Sequence, residues 1–415
     1  MFSACVITGT ASASAQDDRP PDSPAPALVQ QPASEPRPTV EIYGFTEADS
    51  ILDFKRNNPD WYDVNRPTTL PTFAGEFGND GHFYLSPRQT RFGVTSTLPT
   101  PAGDVTATLE MDMLGTGPDA GLTTIRLRHA WGRWKRIGAG QTFSQFMNPD
   151  VYPNRLDPWG PSAMPTLRNI QVFWRVYEQG PSNLTVALEN PGASADDETD
   201  PELFAERIDL QHINVRFPAP DVTGHYRVGG PWGHVQAGGV LRYIAWDDRL
   251  RSERLNLDGH VRGWGVNLSS VVNAGSNDVL RMQVVYGRAI ENYINDAPID
   301  VGPAVNPGDS VQPVVGRALP VFGIVAYVDH TWVKAWSTSA GYSRVDISNS
   351  NAQTPVAFKV GQYATVNLLC TPAQNVLMGA EFQWAQRQNF SDGWIANDYR
   401  FVFSFKYSFS YKVSQ

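Results

Sequence analysis

The sequence predicts an all-β fold: a transmembrane antiparallel β-barrel of about sixteen strands, with short periplasmic turns and long extracellular loops. Three observations point to it. The stretch YRFVFSFKYSFSYKVSQ at 399–415 places Phe401, Phe403, Phe405, Tyr407, Phe409 and Tyr411 at every second position, against Arg400, Ser404, Lys406, Ser408 and Ser410. Period 2 is the signature of a strand with one apolar and one wet face. The links between such segments are alternately short and long along the chain. Finally, no apolar run is long enough for a membrane helix, which needs about 20 residues. Mean hydropathy is −0.32, and a barrel whose strands alternate between lipid and lumen keeps such an average.

From the start of the chain, residues 1–15 read as a truncated signal peptide: a short apolar stretch leads to Ala13-Ser14-Ala15, without a positive leader. Acylation of Cys5 after Phe2-Ser3-Ala4 is the weaker alternative, because little apolar sequence precedes it. With the signal removed, Cys370 stands alone, no disulfide staples the fold, and a small apolar filler near a strand end is its expected role. Residues 16–39, rich in proline, read as an extended periplasmic tether.

From 40 to 415 the chain is a succession of strand segments, read as the barrel. In 183–189, Leu184, Val186 and Leu188 oppose Thr185, Ala187 and Glu189; in 279–288, Leu280, Met282, Val284 and Tyr286 oppose Arg281, Gln283 and Gly287. Residues 357–368 set Phe358, Val360, Val366 and Leu368 against Lys359, Gly361, Tyr363 and Asn367; 375–387 set Val376, Met378, Ala380, Phe382 and Trp384 against Gly379, Glu381, Gln383 and Arg387. The polar sides carry charge and glycine, which suits a wet lumen better than a dry core. Short links near 100, 136, 180, 231, 276, 332 and 373 alternate with long ones at 55–81, 115–121, 145–167, 191–220, 248–259, 290–319, 348–355 and 388–398. Eight long and seven short links join sixteen strands, with both ends of the chain on the short-turn side. The oily faces, including Phe401, Phe403, Phe405, Tyr407 and Phe409, then point to outer-membrane lipid, and closure removes the edges through which such strands aggregate.

The formal net charge of −9 supplies no basic stripe, which argues against nucleic acid as a partner. The wet faces nonetheless concentrate arginine: Arg88 and Arg91 in 82–113, Arg126 and Arg128 beside Thr124, and Arg175, with Arg281, Arg242 and Lys359 further on. Cations on the wall of a narrow lumen focus the field and raise the local anion concentration. The long link 144–168, rich in proline and aromatics, matches in position the loop that folds into the lumen of sixteen-stranded porins. On that reading Asp150 and Asp157 face the arginine wall across a constriction that Arg155 and Arg168 tune. The alternative is plain lumen lining, with the arginines paired to carboxylates such as Glu110 and Asp112.

The stretches LSPRQTRFGVTSTLPTPAGDVTATLEMDM, IRLRHAWGRW and GAGQTFSQFMNPDVYPNRLDPWGP, all within 82–175, resemble consecutive blocks of the DcaP-like outer-membrane porins; GGPWGHVQAGGVLRYI at 229–244 and the terminal strand follow more loosely. The resemblance implies a homotrimeric barrel in the Gram-negative outer membrane. It also implies passive uptake of small hydrophilic solutes, favouring anions such as mono- and dicarboxylates, with the arginines at 88, 126, 128 and 175 in the lumen. A non-selective general porin is the nearest alternative. The proline-rich 16–39 departs from the coiled-coil segment of some members, and the chain runs past Tyr411 to Gln415 where such barrels tend to finish on an aromatic.

No cofactor or metal is expected. The seven histidines, at 82, 129, 212, 225, 234, 260 and 330, lack the close pairing of a metal site, and His129 reads as lying on the apolar side of its strand. No GxSxG, P-loop or dinucleotide fingerprint accompanies a strand-to-helix unit. A barrel enzyme would need a nucleophile and base together, with Ser144 or Ser86 and His129 the nearest candidates, and a barrel closed by its loops is a third class.

Overall fold

The computed structural model describes residues 37–192, 213–249 and 255–414. The expected signal peptide, and the expected tether as far as residue 36, lie outside the described residues. The strands are β1 (Thr39–Asp53), β2 in two pieces (His82–Ser86, Arg91–Leu98), β3 (Val105–Leu114), β4 (Thr123–Trp134), β5 (Ile137–Phe143), β6 (Arg168–Gln179), β7 (Ser182–Glu189) and β8 in two pieces (Ile213–Arg216, Asp221–Gly230). They continue as β9 (Gly233–Asp248), β10 (Gly259–Ala274), β11 (Asp278–Arg288), β12 (Pro320–Val333), β13 (Trp336–Ile347), β14 (Phe358–Ala373), β15 (Val376–Asn389) and β16 (Ile395–Ser414).

Both pieces of β2 pair with β1, and both pieces of β8 pair with β9, so the 18 segments of the sheet occupy sixteen positions among the described residues. Every neighbouring pair is antiparallel, and β1 closes the barrel on β16 in continuous register from Thr39↔Ser414 to Asp53↔Arg400. The alternation of links holds around the barrel except at its last member: β15 runs to Asn389 and β16 starts at Ile395, a tight link in place of the long one expected at 388–398. Tight turns take the left-handed backbone such connections need, with Lys135 at φ 53° and Asn375 at φ 66°.

The period-2 face of β16 is turned outward. Phe401, Phe403, Phe405 and Tyr407 are exposed while Arg400, Val402 and Ser404 are buried. Phe409 is half-buried, its ring lying over Gly44, where a Cβ would come within 2.9 Å of it.

Among the register shifts of the described strands, two change the facing of residues singled out from the sequence. In the β3–β4 pairing Glu110 faces His129 and Met111 faces Leu127, so Arg128 is the extra residue. A bulge of this kind re-aims the side chains beyond it. His129, expected on the apolar side, is instead buried, with Nδ1 3.1 Å from Thr142 Oγ1 and its ring edge-on to Phe143 at 4.8 Å. A second shift, between Phe358 and Val360 of β14, turns Phe358 inward, with the Arg387 guanidinium 5.4 Å over its ring. That leaves Lys359 on the opposite side of the strand, not on the lumen side expected for it.

The interior departs from the wet lumen in one half. The loop 144–167 lies against the inner wall of β9–β15. Asn267 Nδ2 donates to Phe146 O (2.9 Å), Gln236 Nε2 to Met147 O (2.9 Å), Ser162 N to Ser343 Oγ (3.0 Å), and Asn367 Nδ2 to Asn154 O (2.7 Å). Phe146, Met147, Met164 and Leu167 of this loop pack with Val240, Val285, Val325 and Val345 of the wall and with Ile290 and Tyr293 of the loop 289–319. Each such side chain contributes roughly 2 kcal/mol by burial.

The inner glycines serve this contact. A Cβ at Gly238 would lie 3.0 Å from Phe146 O, and one at Gly323 3.0 Å from Ala163 O. They let the loop backbone approach the wall and do not widen a channel. The loop 289–319 carries its own hairpin, Val301–Val305 with Val314–Ala318.

Candidate functional site

With the loops seated on β9–β15, a cavity of about 820 Å³ remains on the other side of the barrel. Its wall is formed by β16 and β1–β6, and its remaining lining by the loops 54–81, 115–122, 144–167 and 289–319.

The wall is built by register. Arg91 of β2 pairs with Asp112 of β3, which pairs with Arg126 of β4. Alternation turns these side chains to one face, and the bulge at Arg128 adds a further cation there. Arg126 donates from both Nε and Nη2 to the Asp112 carboxylate, at 3.1 and 2.8 Å. Arg128 bridges Glu110 (2.9 Å) and Asp112 (2.8 Å), Arg91 stands 3.5 Å from Glu110, and the Tyr43 hydroxyl donates to Glu110 at 3.0 Å. Arg168 lies 6.0 Å over the Phe143 ring. Lys406 of β16 pairs with Glu47 at 2.9 Å.

The loops add two more cations. Arg155 stacks on Tyr152 at 4.3 Å and donates to the carbonyls of Asp157 (2.6 Å) and Pro158 (3.1 Å). Arg66 pairs with Asp296 at 3.0 Å.

Arg66, Arg91, Arg126, Arg128, Arg155, Arg168 and Lys406 thus line the cavity against Asp60, Asp112 and Asp157, an excess of four positive charges on the lining. Glu47, Glu110 and Asp296 stand behind their cations; counting them leaves an excess of one. The electrostatic character comes from depth: guanidinium groups present to the cavity, while half of the carboxylates are recessed.

Of the residues singled out from the sequence, Arg91, Arg126, Arg128, Arg155, Asp157 and Arg168 meet at this cavity. Arg88 does not line it. It is fully buried, donating to Asp63 (2.6 Å) and to Gly115 O (2.8 Å), and it ties the loop 54–81 to the wall. Burial pushes the Asp63 carboxyl above its ordinary range, against the opposing pull of Arg88. Arg175 is at the turn end of β6 with Glu178 at 2.5 Å, and Lys359 is outside the cavity. Arg242 is buried between Asp221 (2.9 Å) and Asp300 (3.1 Å), holding the loop 289–319.

Asp150 does not line the cavity, and Asp157, which does, is held by groups other than the wall arginines. Asp150 is half-exposed and pairs with Arg227 at 2.6 Å, and its carbonyl accepts from Arg281, which also holds Asp329 at 2.6 Å. Asp157 accepts from the Tyr363 hydroxyl (2.5 Å) and from Trp159 N (2.9 Å), which fastens the loop to β14. The carboxylates that meet the arginines are Glu110 and Asp112, one strand away, which is the alternative pairing considered above. Arg66 was not singled out at all. It sits in a long loop with no periodicity to show which way its side chains turn.

Comparison with known proteins agrees with this architecture. Residues 27–226 match the model of the family described as DcaP outer membrane protein. Over that stretch, just under half of its length, the chain is similar to the DcaP outer membrane proteins. The crystal structure of the outer membrane channel DcaP of Acinetobacter baumannii superposes with a TM-score of 0.71 at 18% identity, covering 91% of this chain and 99% of that one. An anion-selective porin from Comamonas acidovorans gives 0.57 at 8% identity, covering 90% and 100%. The trimer form of OmpT, an outer membrane protein of Vibrio cholerae, gives 0.54 at 9% identity, covering 90% and 100%. No curated protein matches the sequence. The family match and the barrel are those of Gram-negative outer-membrane porins, and together they support a channel in that membrane.

Proposed function

We propose that the cavity is the solute passage of a diffusion channel for small hydrophilic anions, mono- and dicarboxylates among them, and that the channel works as a homotrimer. The observation that carries this reading is the seven-to-three excess of cations over carboxylates on the cavity lining. A carboxylate entering such a space exchanges part of its hydration for guanidinium N–H donors, and paired cations hold it loosely enough to leave. No bond is made or broken, and the reading needs no cofactor. The anion-selective porin among the structural neighbours shares the fold at 8% identity, so its selectivity supports the reading only as an analogy.

Uptake into proteoliposomes tests it. Succinate should enter faster than a neutral sugar of similar size, and a diamine slowest; equal rates would leave a general, non-selective porin. Reconstitution into a planar bilayer should give conductance in three equal steps per insertion event.

The outer aromatic face carries a separate expectation. Phe403→Lys places a charge amid the exposed ring row of β16. On a lipid-facing midplane position this costs about 2–4 kcal/mol. The denaturant midpoint of the refolded barrel in lipid vesicles should fall accordingly, and an unchanged midpoint would remove that face from lipid.

A further inference from the structure

Arg66 differs from the other cations of the cavity in how little of it is consumed. Arg126 gives two donors to one carboxylate, Arg128 bridges two carboxylates, and Arg155 is spent on two carbonyls. Arg66 engages Asp296 through Nε alone, at 3.0 Å. No described residue accepts from its two terminal nitrogens, although the side chain lines the cavity and is only 14% exposed.

Its position is also fixed in advance. The guanidinium carbon lies 4.3 Å from the Trp61 ring and 4.2 Å from the Trp159 ring, and these two indoles meet edge to face at 5.0 Å. Arg66 therefore occupies the corner between two perpendicular aromatic faces, an arrangement that holds a cation firmly when solvent is excluded. The corner is itself braced. Trp159 Nε1 donates to Asn295 O at 3.1 Å, Asp296 accepts from Thr68 N at 2.9 Å and from the Thr68 hydroxyl, and Asp296 N donates to Ser162 O at 3.0 Å. Three loops, 54–81, 144–167 and 289–319, thus meet on one arginine.

We infer that Arg66, seated between Trp61 and Trp159, is a carboxylate-binding subsite of the cavity: its two terminal N–H groups take one carboxylate end-on, as a bidentate pair. The inference rests on the cavity being the solute passage. A planar fork matched to a planar carboxylate gives directional recognition that a point charge lacks. Because the ring faces and Asp296 have already ordered the side chain, little conformational freedom is lost when the anion docks. The subsite recognises the carboxylate itself, which separates carboxylates from halides of the same charge.

The test is block of chloride current by added succinate in planar bilayers, compared between wild type, Arg66→Lys and Arg66→Ala. The Lys variant keeps the charge and loses the fork. It should leave the chloride reversal potential where it is and raise the half-blocking succinate concentration roughly tenfold or more, the loss of one charge-assisted bidentate contact. The Ala variant should lose the block equally and also shift the reversal potential toward cations. An unchanged half-blocking concentration in both variants, or a wild-type channel that is anion-selective but not blocked, would overturn the subsite. A wild type without anion selectivity would instead overturn the reading of the passage, and the subsite with it.

Discussion

Replacing Arg126 and Arg128 together by alanine is expected to reverse the ion preference of the channel, not merely to weaken it. Both arginines are held on Asp112 and Glu110, at 2.8 to 3.1 Å. Their removal therefore deletes two cations and also uncovers two carboxylates. With the recessed carboxylates counted, the cavity carries seven cations against six carboxylates, and the double variant would carry five against six. At an effective dielectric constant near 20, a unit charge 4 Å from an ion is worth about 4 kcal/mol before desolvation, so changes of this size decide which ion enters. The measurement is the reversal potential across a potassium chloride gradient: wild type on the anion side, the double variant on the cation side. Asp112→Asn is the control, and it should move the potential further toward anions. An unmoved potential in the double variant would place the selecting charges elsewhere.

The second large effect is expected from Glu381→Leu. Glu381 of β15 is fully buried and accepts four donors: Leu156 N (2.9 Å), Asp157 N (3.2 Å), Asn367 Nδ2 (2.9 Å) and Gln383 Nε2 (2.9 Å). Two of these are backbone groups of the loop 144–167, so one carboxylate fastens the loop to the wall facing the cavity. Leaving buried donors unsatisfied costs about 1–3 kcal/mol each, several kcal/mol in all. The loop still has its apolar anchor, Phe146, Met147 and Met164, so the expected outcome is a barrel that folds with its loop tip released. Single-channel records should then show flickering between conductance levels, where the wild type shows a steady open level. A steady record in the variant would mean that the apolar anchor alone sets the loop position.

These two effects mark where the sequence was legible. The sixteen positions, all but the last of the links and the outward aromatics of β16 follow from strict period-2 patterning, because a strand that is apolar on one side has one way to face. Arg126 was placed for the same reason. The failures fall where periodicity stops or slips. One extra residue at Arg128 turned His129 inward, and one near Lys359 turned Phe358 inward; nothing in the local composition announces a bulge. Asp150 and Asp157 lie seven residues apart in an aperiodic loop, where the sequence gives no face, and they turned to Arg227 and Tyr363 in place of the arginine wall. Arg66 went unseen for the same reason, although Trp61, Pro59 and Pro67 around it mark a loop with more structure than a spacer requires.

The glycines show a different ambiguity. Gly238 and Gly323 on an inner face suit either an open lumen or a close backbone contact, and the contact is what the fold uses.

On the proposed reading the arginine-lined cavity is the conducting path and sets its preference for anions. The most direct measurement is the zero-current potential of the purified wild-type channel in a planar bilayer under a potassium chloride gradient. The expected potential is displaced toward the chloride equilibrium value. A potential at zero, or displaced toward potassium, would contradict it.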